Sequence, residues 1–340
     1  MRVRDRARLA AVTAGVVLLL LAAALPPAGA VDVPRNIIIM FADGAASAQW
    51  DFGRYSSAVL RRQPFATTEV VFRQGVVGLL ATSPAGAYVT DSAAAASAMS
   101  IGVKVKNGAI SITPDGASPP TVMEAARAAG KRVGLVTTAT VYDATPAAFA
   151  LHAASRRDSQ ALVSQFLALE PDVLMGGGAG YFLPEGVPGG KRKDGQDVIA
   201  AFRARGHAVA RTPAELAAVA APRLLALFAN DDMDFEVERD PAREPTTAEM
   251  AAAALKALGQ PSPNGFVLLV ENENVDTAAH RNDAAALMRA LWAFDDAVKV
   301  ALDFQRRHPD TLVIVTGDHE TGGFSPTYAL HDPAASGSRF

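Results

Sequence analysis

The chain has 340 residues, enough for one large or two small domains with a sizeable core. Half of the residues are hydrophobic and only 20% are charged, which excludes collagen-like, coiled-coil and disordered classes. A net charge of −3 without a basic run speaks against nucleic acid as the main partner, and the lack of cysteine excludes disulfides, thiol catalysis and thiolate metal sites.

The N-terminus carries Arg2, Arg4, Arg6 and Arg8, then an uncharged stretch from Leu9 to Leu25, then Pro26-Pro27 and Ala28-Gly29-Ala30. A basic start, an apolar middle and an A-x-A end form the pattern of a secretory signal peptide over residues 1–30, cleaved after Ala30. The competing reading is an uncleaved anchor, but the apolar run falls short of the roughly 20 residues that span a bilayer. The body, residues 31–340, is therefore expected to be exported, periplasmic or extracellular, with no further membrane segment.

Asn36–Phe41 (NIIIMF) is the first predicted strand, and Asp43 follows it. Val89-Thr-Asp91-Ser92 opens an alanine-rich helix that runs to Met99. Ser92 is placed at the helix start, where free N–H groups and the macrodipole favour an anion; read in isolation, an N-cap is the more ordinary role. No G-x-S-x-G elbow is present and the sequence places no histidine beside Ser92, so a metal is the natural activator. Helices are predicted over Thr121–Ala129, Asp158–Leu169, Pro213–Ala220, Thr247–Leu258 and Asp283–Arg306, and strands over Arg132–Thr137, Pro171–Met175, Gly265–Val270 and Thr311–Val315. Near-continuous apolar strands separated by helices indicate an α/β fold, a three-layer sandwich with a mostly parallel central sheet and helices on both faces. Gly176–Gly195, with Lys191-Arg192-Lys193, reads as a solvated surface loop, and Trp50 and Trp292 as packing residues.

Three strands end in acidic or imidazole groups: Asp43 after the first, Glu271 after Val270, and Asp318-His319 after Val315. Ligands of open α/β sheets gather at the carboxyl ends of strands. Asp276 and His280 are four apart, on one face if the segment is helical, which suits zinc; a surface ion pair is the alternative. Asp318-His319 is a second carboxylate–imidazole pair. His152, His207, His308 and His331 are, taken singly, ordinary surface or core histidines.

In order, IIIMFADG around Asp43, VTDSAA around Ser92, YDATPAAFALHAASR from Tyr142 to Arg156, VLMGGG to Gly178, LLVENENVD and His280, and VIVTGDHETGG to Gly323 resemble the alkaline phosphatase family. The resemblance implies hydrolysis of small-molecule phosphate monoesters through a phosphoserine on Ser92. It implies two zinc ions and one magnesium: one zinc on Asp43, Asp318 and His319, the other, on the leaving-group side, on Asp276 and His280. The magnesium is implied on Asp43, Thr145 and Glu271, with Asp143 near it through water. Arg156 would clamp the phosphate and Asp91 would orient Arg156; a homodimer is a possible assembly.

The sequence departs from the family pattern in three places. Ala45-Ala46 replaces Met-Gly after Asp43-Gly44, and Asn272-Glu273 adds bulk and charge beside the magnesium site. The family's further zinc histidine lies in an H-T-G-type motif well downstream, whereas only His331, in unlike surroundings, follows His319; the catalytic domain thus reads as truncated at its C-terminus. Competing readings are a phosphodiesterase- or sulfatase-type relative, and a silent metal- or phosphate-binding form.

Overall fold

The apolar run at Asn36–Ala42 forms β1, and its alternation assigns each side chain to one of two cores. Ile38 and Met40 enter one core with Leu268, Val270, Leu291 and Phe294; Ile39 and Phe41 enter the other with Leu135, Phe149, Phe166 and Leu269. Two apolar faces on one strand require cover on both sides. The computed structural model describes residues 33–260 and 262–325, and the described residues from Arg35 onward form one unit.

The other strands are β2 (Arg132–Thr140), β3 (Val173–Gly177), β4 (Ala208–Ala210), β5 (Leu224–Leu227), β6 (Phe266–Asn272) and β7 (Thr311–Thr316). The sheet runs β4-β5-β3-β2-β6-β1-β7, with every pairing parallel. Ile37 pairs with Val267 on one side and Leu312 on the other, so β1, β6 and β7 end at nearly the same level. That shared register carries Asp43, Glu271 and Asp318 to one edge of the sheet.

The predicted α/β sandwich is therefore present, with two additions the sequence did not announce. β4 and β5 are only three and four residues long, too short for a periodic signal. Helices Ser47–Ser56 and Val198–Ala204 were also unread, as was Ala144–Ala150, which is buried throughout and so has no polar face to give a period. Four of the longer predicted helices start at recognisable caps. Thr121 with Glu124 and Thr246 with Glu249 form capping boxes, while Asp158 and Asp283 accept from free N–H groups of their first turns.

The solvated-loop reading of Gly176–Gly195 needs correction. Arg192 is fully buried, and its guanidinium donates to Asp194, Ser164 Oγ and the Tyr181 carbonyl, a fork only arginine provides. Phe182 is buried in the same excursion. Trp292 is buried and donates to Ser56 Oγ, and Trp50 packs on the same core. No described helix is long and apolar enough to cross a membrane. The expected signal peptide, its cleavage after Ala30, and His331 lie outside the described residues.

Candidate functional site

β1, β6 and β7 each finish on a carboxylate, and the turns after them fix where it points. After β1 the chain turns at Gly44, whose N–H donates to Asp318 Oδ1 at 3.1 Å, as does the His319 N–H at 3.0 Å. Those two donors lock Asp318 and leave its Oδ2 facing His319 Nε2 at 3.3 Å. The same nitrogen lies 3.6 Å from Asp43 Oδ1. Asp276 joins them: ligand atoms of Asp43, Asp276 and His319 lie within 4.8 Å of one another.

The segment Asn274–His280 is helical, so Asp276 and His280 share a face, with Oδ2 and Nε2 3.3 Å apart. Asp276 is buried, whereas the His280 side chain stands at the rim. Thr321, to which the sequence assigned no role, ties the two predicted zinc sets together. Its hydroxyl bonds Asp276 Oδ1 and lies 3.0 Å from His319 Nδ1. The only sequence signal for it was its place in the turn Glu320-Thr-Gly-Gly.

Ser92 is the first residue of the helix Ser92–Ile101, and Asp91, not Ser92, is the N-cap. Asp91 Oδ1 accepts from Ala94 N, which leaves the Ser92 hydroxyl for other work. Its Oγ lies 3.2 Å from His319 Nε2, beside the carboxylates. Arg156 Nη2 donates to Asp143 Oδ1 at 3.0 Å, and its Nη1 lies 3.7 Å from Asp91 Oδ2. Of the two carboxylates beside Arg156, Asp143 makes the closer contact. Burial opposes the Arg156 charge, but Asp143, Asp91 and Asp43 outweigh it and raise its pKa.

The third predicted set also converges. Thr145 Oγ1 lies 3.5 Å from Asp43 Oδ2, and Thr137, another residue the sequence did not single out, donates to Glu271 Oε2 at 2.6 Å. Glu273, the unusual acid of the Asn272-Glu273 pair, is buried two residues beyond Glu271, its N–H donating to Thr138 Oγ1. Burial first, then Asp143, pushes its pKa well above the ordinary value. Burial likewise raises Asp43, reinforced by Asp318 and Asp276, and pushes Glu271 up to about 8.

Asp43 Oδ1, Asp318 Oδ2 and Glu271 Oε1 are fully buried and accept no hydrogen bond. An unpaired buried carboxylate oxygen is strongly disfavoured unless a cation meets it. The donor chemistry fits two kinds of ion. Carboxylates with His319 and His280 suit zinc, and the all-oxygen set of Asp43, Thr145 and Glu271 suits magnesium. The other described histidines are structural: His152 bonds Glu124 Oε2 and the Ser111 carbonyl, His207 bonds the Pro171 carbonyl, and His308 stacks on Phe304.

A family model described as "Alkaline phosphatase" matches residues 34–336. The chain is 34% identical over 316 residues to the repressible alkaline phosphatase of Saccharomyces cerevisiae, covering 85% of this chain and 55% of the yeast protein. It superposes on the crystal structure of Thermus thermophilus alkaline phosphatase with a TM-score of 0.79 and 37% identity, covering 88% of this chain and 64% of that one. An alkaline phosphatase mutant from the Antarctic bacterium TAB5, solved with Mg bound in its M3 site, gives a TM-score of 0.72 at 29% identity, covering 86% and 80%. The chain thus spans 55% to 63% of the length of the first curated relatives it matches.

Proposed function

The chain belongs to the alkaline phosphatase family, and from that premise we propose that it hydrolyses phosphate monoesters with Ser92 as nucleophile. The observation that carries the reading is one juxtaposition. Ser92 Oγ stands at a helix N-terminus against His319 Nε2, the nitrogen that faces the buried, unpaired oxygens of Asp43 and Asp318, with Arg156 paired to two carboxylates.

In this reading one zinc is held by Asp43, Asp318 and His319, a second by Asp276 and His280, and a magnesium by Asp43, Thr145 and Glu271. When bound, such cations supply Lewis acidity that lowers the serine pKa and neutralises charge on the attacking and leaving oxygens. The protein does the rest. The first turn of the Ser92–Ile101 helix directs its positive end at the phosphoryl group. Asp91 and Asp143 fix the Arg156 guanidinium, which presents two parallel N–H groups to the phosphoryl oxygens where transition-state charge gathers. Ser92 Oγ, its proton given up to solvent, attacks phosphorus in line as the ester oxygen departs and takes a proton from water, leaving phosphoserine; water then attacks phosphorus, one of its protons returning to Ser92, to free phosphate. Thr321, bonded to both Asp276 and His319, keeps those two side chains in one orientation.

A monoester is favoured over a diester or sulfate ester because a serine nucleophile is paired with an arginine suited to a dianionic phosphoryl group. The basic, apolar and A-x-A start supports export, where hydrolysis releases phosphate from esters that cross membranes poorly. The test is hydrolysis of an aryl phosphate monoester and the matching diester by the purified chain with zinc and magnesium. Monoester turnover abolished by chelation and by Ser92→Ala is expected. Equal or faster diester turnover, or full activity in Ser92→Ala, would overturn the reading.

A further inference from the structure

We propose that Glu273 is a working carboxylate of the third cation site, acting with Asp143 on the ion held by Asp43, Thr145 and Glu271 and biasing that site toward magnesium. The inference rests on the reading of those three residues as cation ligands and adds to it a side chain peculiar to this sequence.

The geometry begins at the end of β2. Thr137 Oγ1 donates to Glu271 Oε2 at 2.6 Å, and Thr138 Oγ1 accepts from the Glu273 N–H at 2.9 Å and the Asn274 N–H at 3.2 Å. Adjacent threonines therefore pin both acids from one strand end. Glu273 is 9% exposed, and its Oε1 accepts from Thr277 Oγ1, one turn along the helix. That single hydroxyl bond is a poor return for burying a carboxylate.

The charges around Glu273 are of the wrong sign to hold it. Asp143, Asp232, Glu271 and Asp43 all lie close enough to act against its charge. Neighbouring cationic side chains are committed elsewhere: Arg156 pairs with Asp143 and Asp91, and Lys191 with Asp231. Among the described residues, no lysine or arginine forms an ion pair with Glu271 or Glu273. A cation bound from outside the chain would supply the charge that no side chain here supplies. Glu271 Oε1, buried and without a hydrogen-bond partner, marks the direction from which it comes.

The donor chemistry selects the ion. Every group in the set is an oxygen, which suits a hard divalent cation better than zinc. Magnesium keeps several of its waters, and those waters donate hydrogen bonds to nearby carboxylates. Glu273 and Asp143 supply such acceptors. Groups of this kind typically contribute about 10- to 100-fold in metal affinity.

The experiment uses the full chain, stripped with chelator and reloaded with zinc, into which magnesium is titrated calorimetrically. Glu273→Gln keeps the size and the Thr277 bond while removing the charge. It should weaken magnesium binding about 10- to 100-fold, leave the Tm of the metal-free chain unchanged or raised, and regain affinity in Glu273→Asp. Glu271→Gln, in parallel, should abolish the binding. Unchanged affinity in Glu273→Gln with binding lost in Glu271→Gln would overturn the role of Glu273 and leave the cation site standing. Unchanged affinity in both would remove the cation site itself, and Glu273 with it. A lower metal-free Tm accompanying the lost affinity would make Glu273 a structural residue and overturn the proposal.

Discussion

Ser92 Oγ and His319 Nε2 lie 3.2 Å apart although 227 residues separate them in the chain. The pair has the distance of a nucleophile and its base, but its surroundings fit the proposed reading of two ligands facing one shared ion. His319 Nδ1 is met by the Thr321 hydroxyl at 3.0 Å rather than by an orienting carboxylate. Its Nε2 faces Asp318 Oδ2 and Asp43 Oδ1 as well as Ser92, and both of those oxygens lack hydrogen-bond partners. A histidine base would act without metal; a shared cation would not.

Mixing the zinc- and magnesium-loaded chain with a phosphate monoester and quenching in acid should leave phosphate on Ser92, read by mass spectrometry. Chelation beforehand should abolish the label. Labelling that survives chelation would identify His319 as the base, and label on another residue with Ser92→Ala active would remove Ser92 from the chemistry.

Arg156→Ala should weaken inhibition by inorganic phosphate while leaving slow turnover. A charge-assisted hydrogen bond contributes about 1.5–3 kcal/mol, or about 10- to 150-fold in affinity. Asp143 makes the closer contact to Arg156, so Asp143→Ala should reproduce part of the loss and Asp91→Ala less of it. Unchanged phosphate inhibition in Arg156→Ala would show that the guanidinium does not face the phosphoryl group.

Metal-free protein should lose stability as pH rises. Burial pushes Glu271 from its ordinary 4.5 up to about 8, and burial with like charges raises Asp43 and Asp318. A raised carboxylate pKa means that the folded chain holds the proton more tightly than the unfolded one. These groups therefore stabilise the fold most below about 4.5, and that contribution is lost as pH climbs through about 8. Zinc and magnesium bind the deprotonated carboxylates, so with metal the slope should reverse over the same window. Thermal unfolding with chelator and with metals, at steps between about pH 5 and pH 9, reads both slopes. A stripped protein that grows more stable across that range would contradict the charge arrangement.

The strand-end carboxylates were legible in the sequence because β1, β6 and β7 are long apolar runs and the acids directly follow them. Asp276 and His280 were legible through their helical spacing. Thr137 and Thr321 were not, since a threonine at a strand end or in a turn has no pattern that separates it from the many that cap or pair. Arg192 was misread for a related reason: three consecutive basic residues look solvated, and its burial depends on Asp194, Ser164 and a backbone carbonyl brought in by the fold. The proximity of Ser92 to His319 joins side chains 227 residues apart, a contact that no local window contains.

Gly44 is a position where backbone conformation and the metal centre meet. It has φ of +73°, and a Cβ there would lie 2.6 Å from Asp276 Oδ1 and 2.8 Å from Asp276 Cα. Gly44→Ala therefore combines two costs, the left-handed backbone penalty of about 1–2 kcal/mol and displacement of a predicted zinc ligand. Gly86 separates them, because it has φ of +79° and a Cβ there would meet nothing within 4 Å. Gly86→Ala should lower the Tm modestly and leave zinc binding intact. Gly44→Ala should lower the Tm further, and zinc affinity at the Asp276/His280 site, followed by calorimetric titration, should fall well below that of Gly86→Ala. Equal zinc affinities in the two variants would mean that Asp276 is free to move away from Gly44, and that the close approach of β1 to the Asn274–His280 helix does not set the position of this ligand.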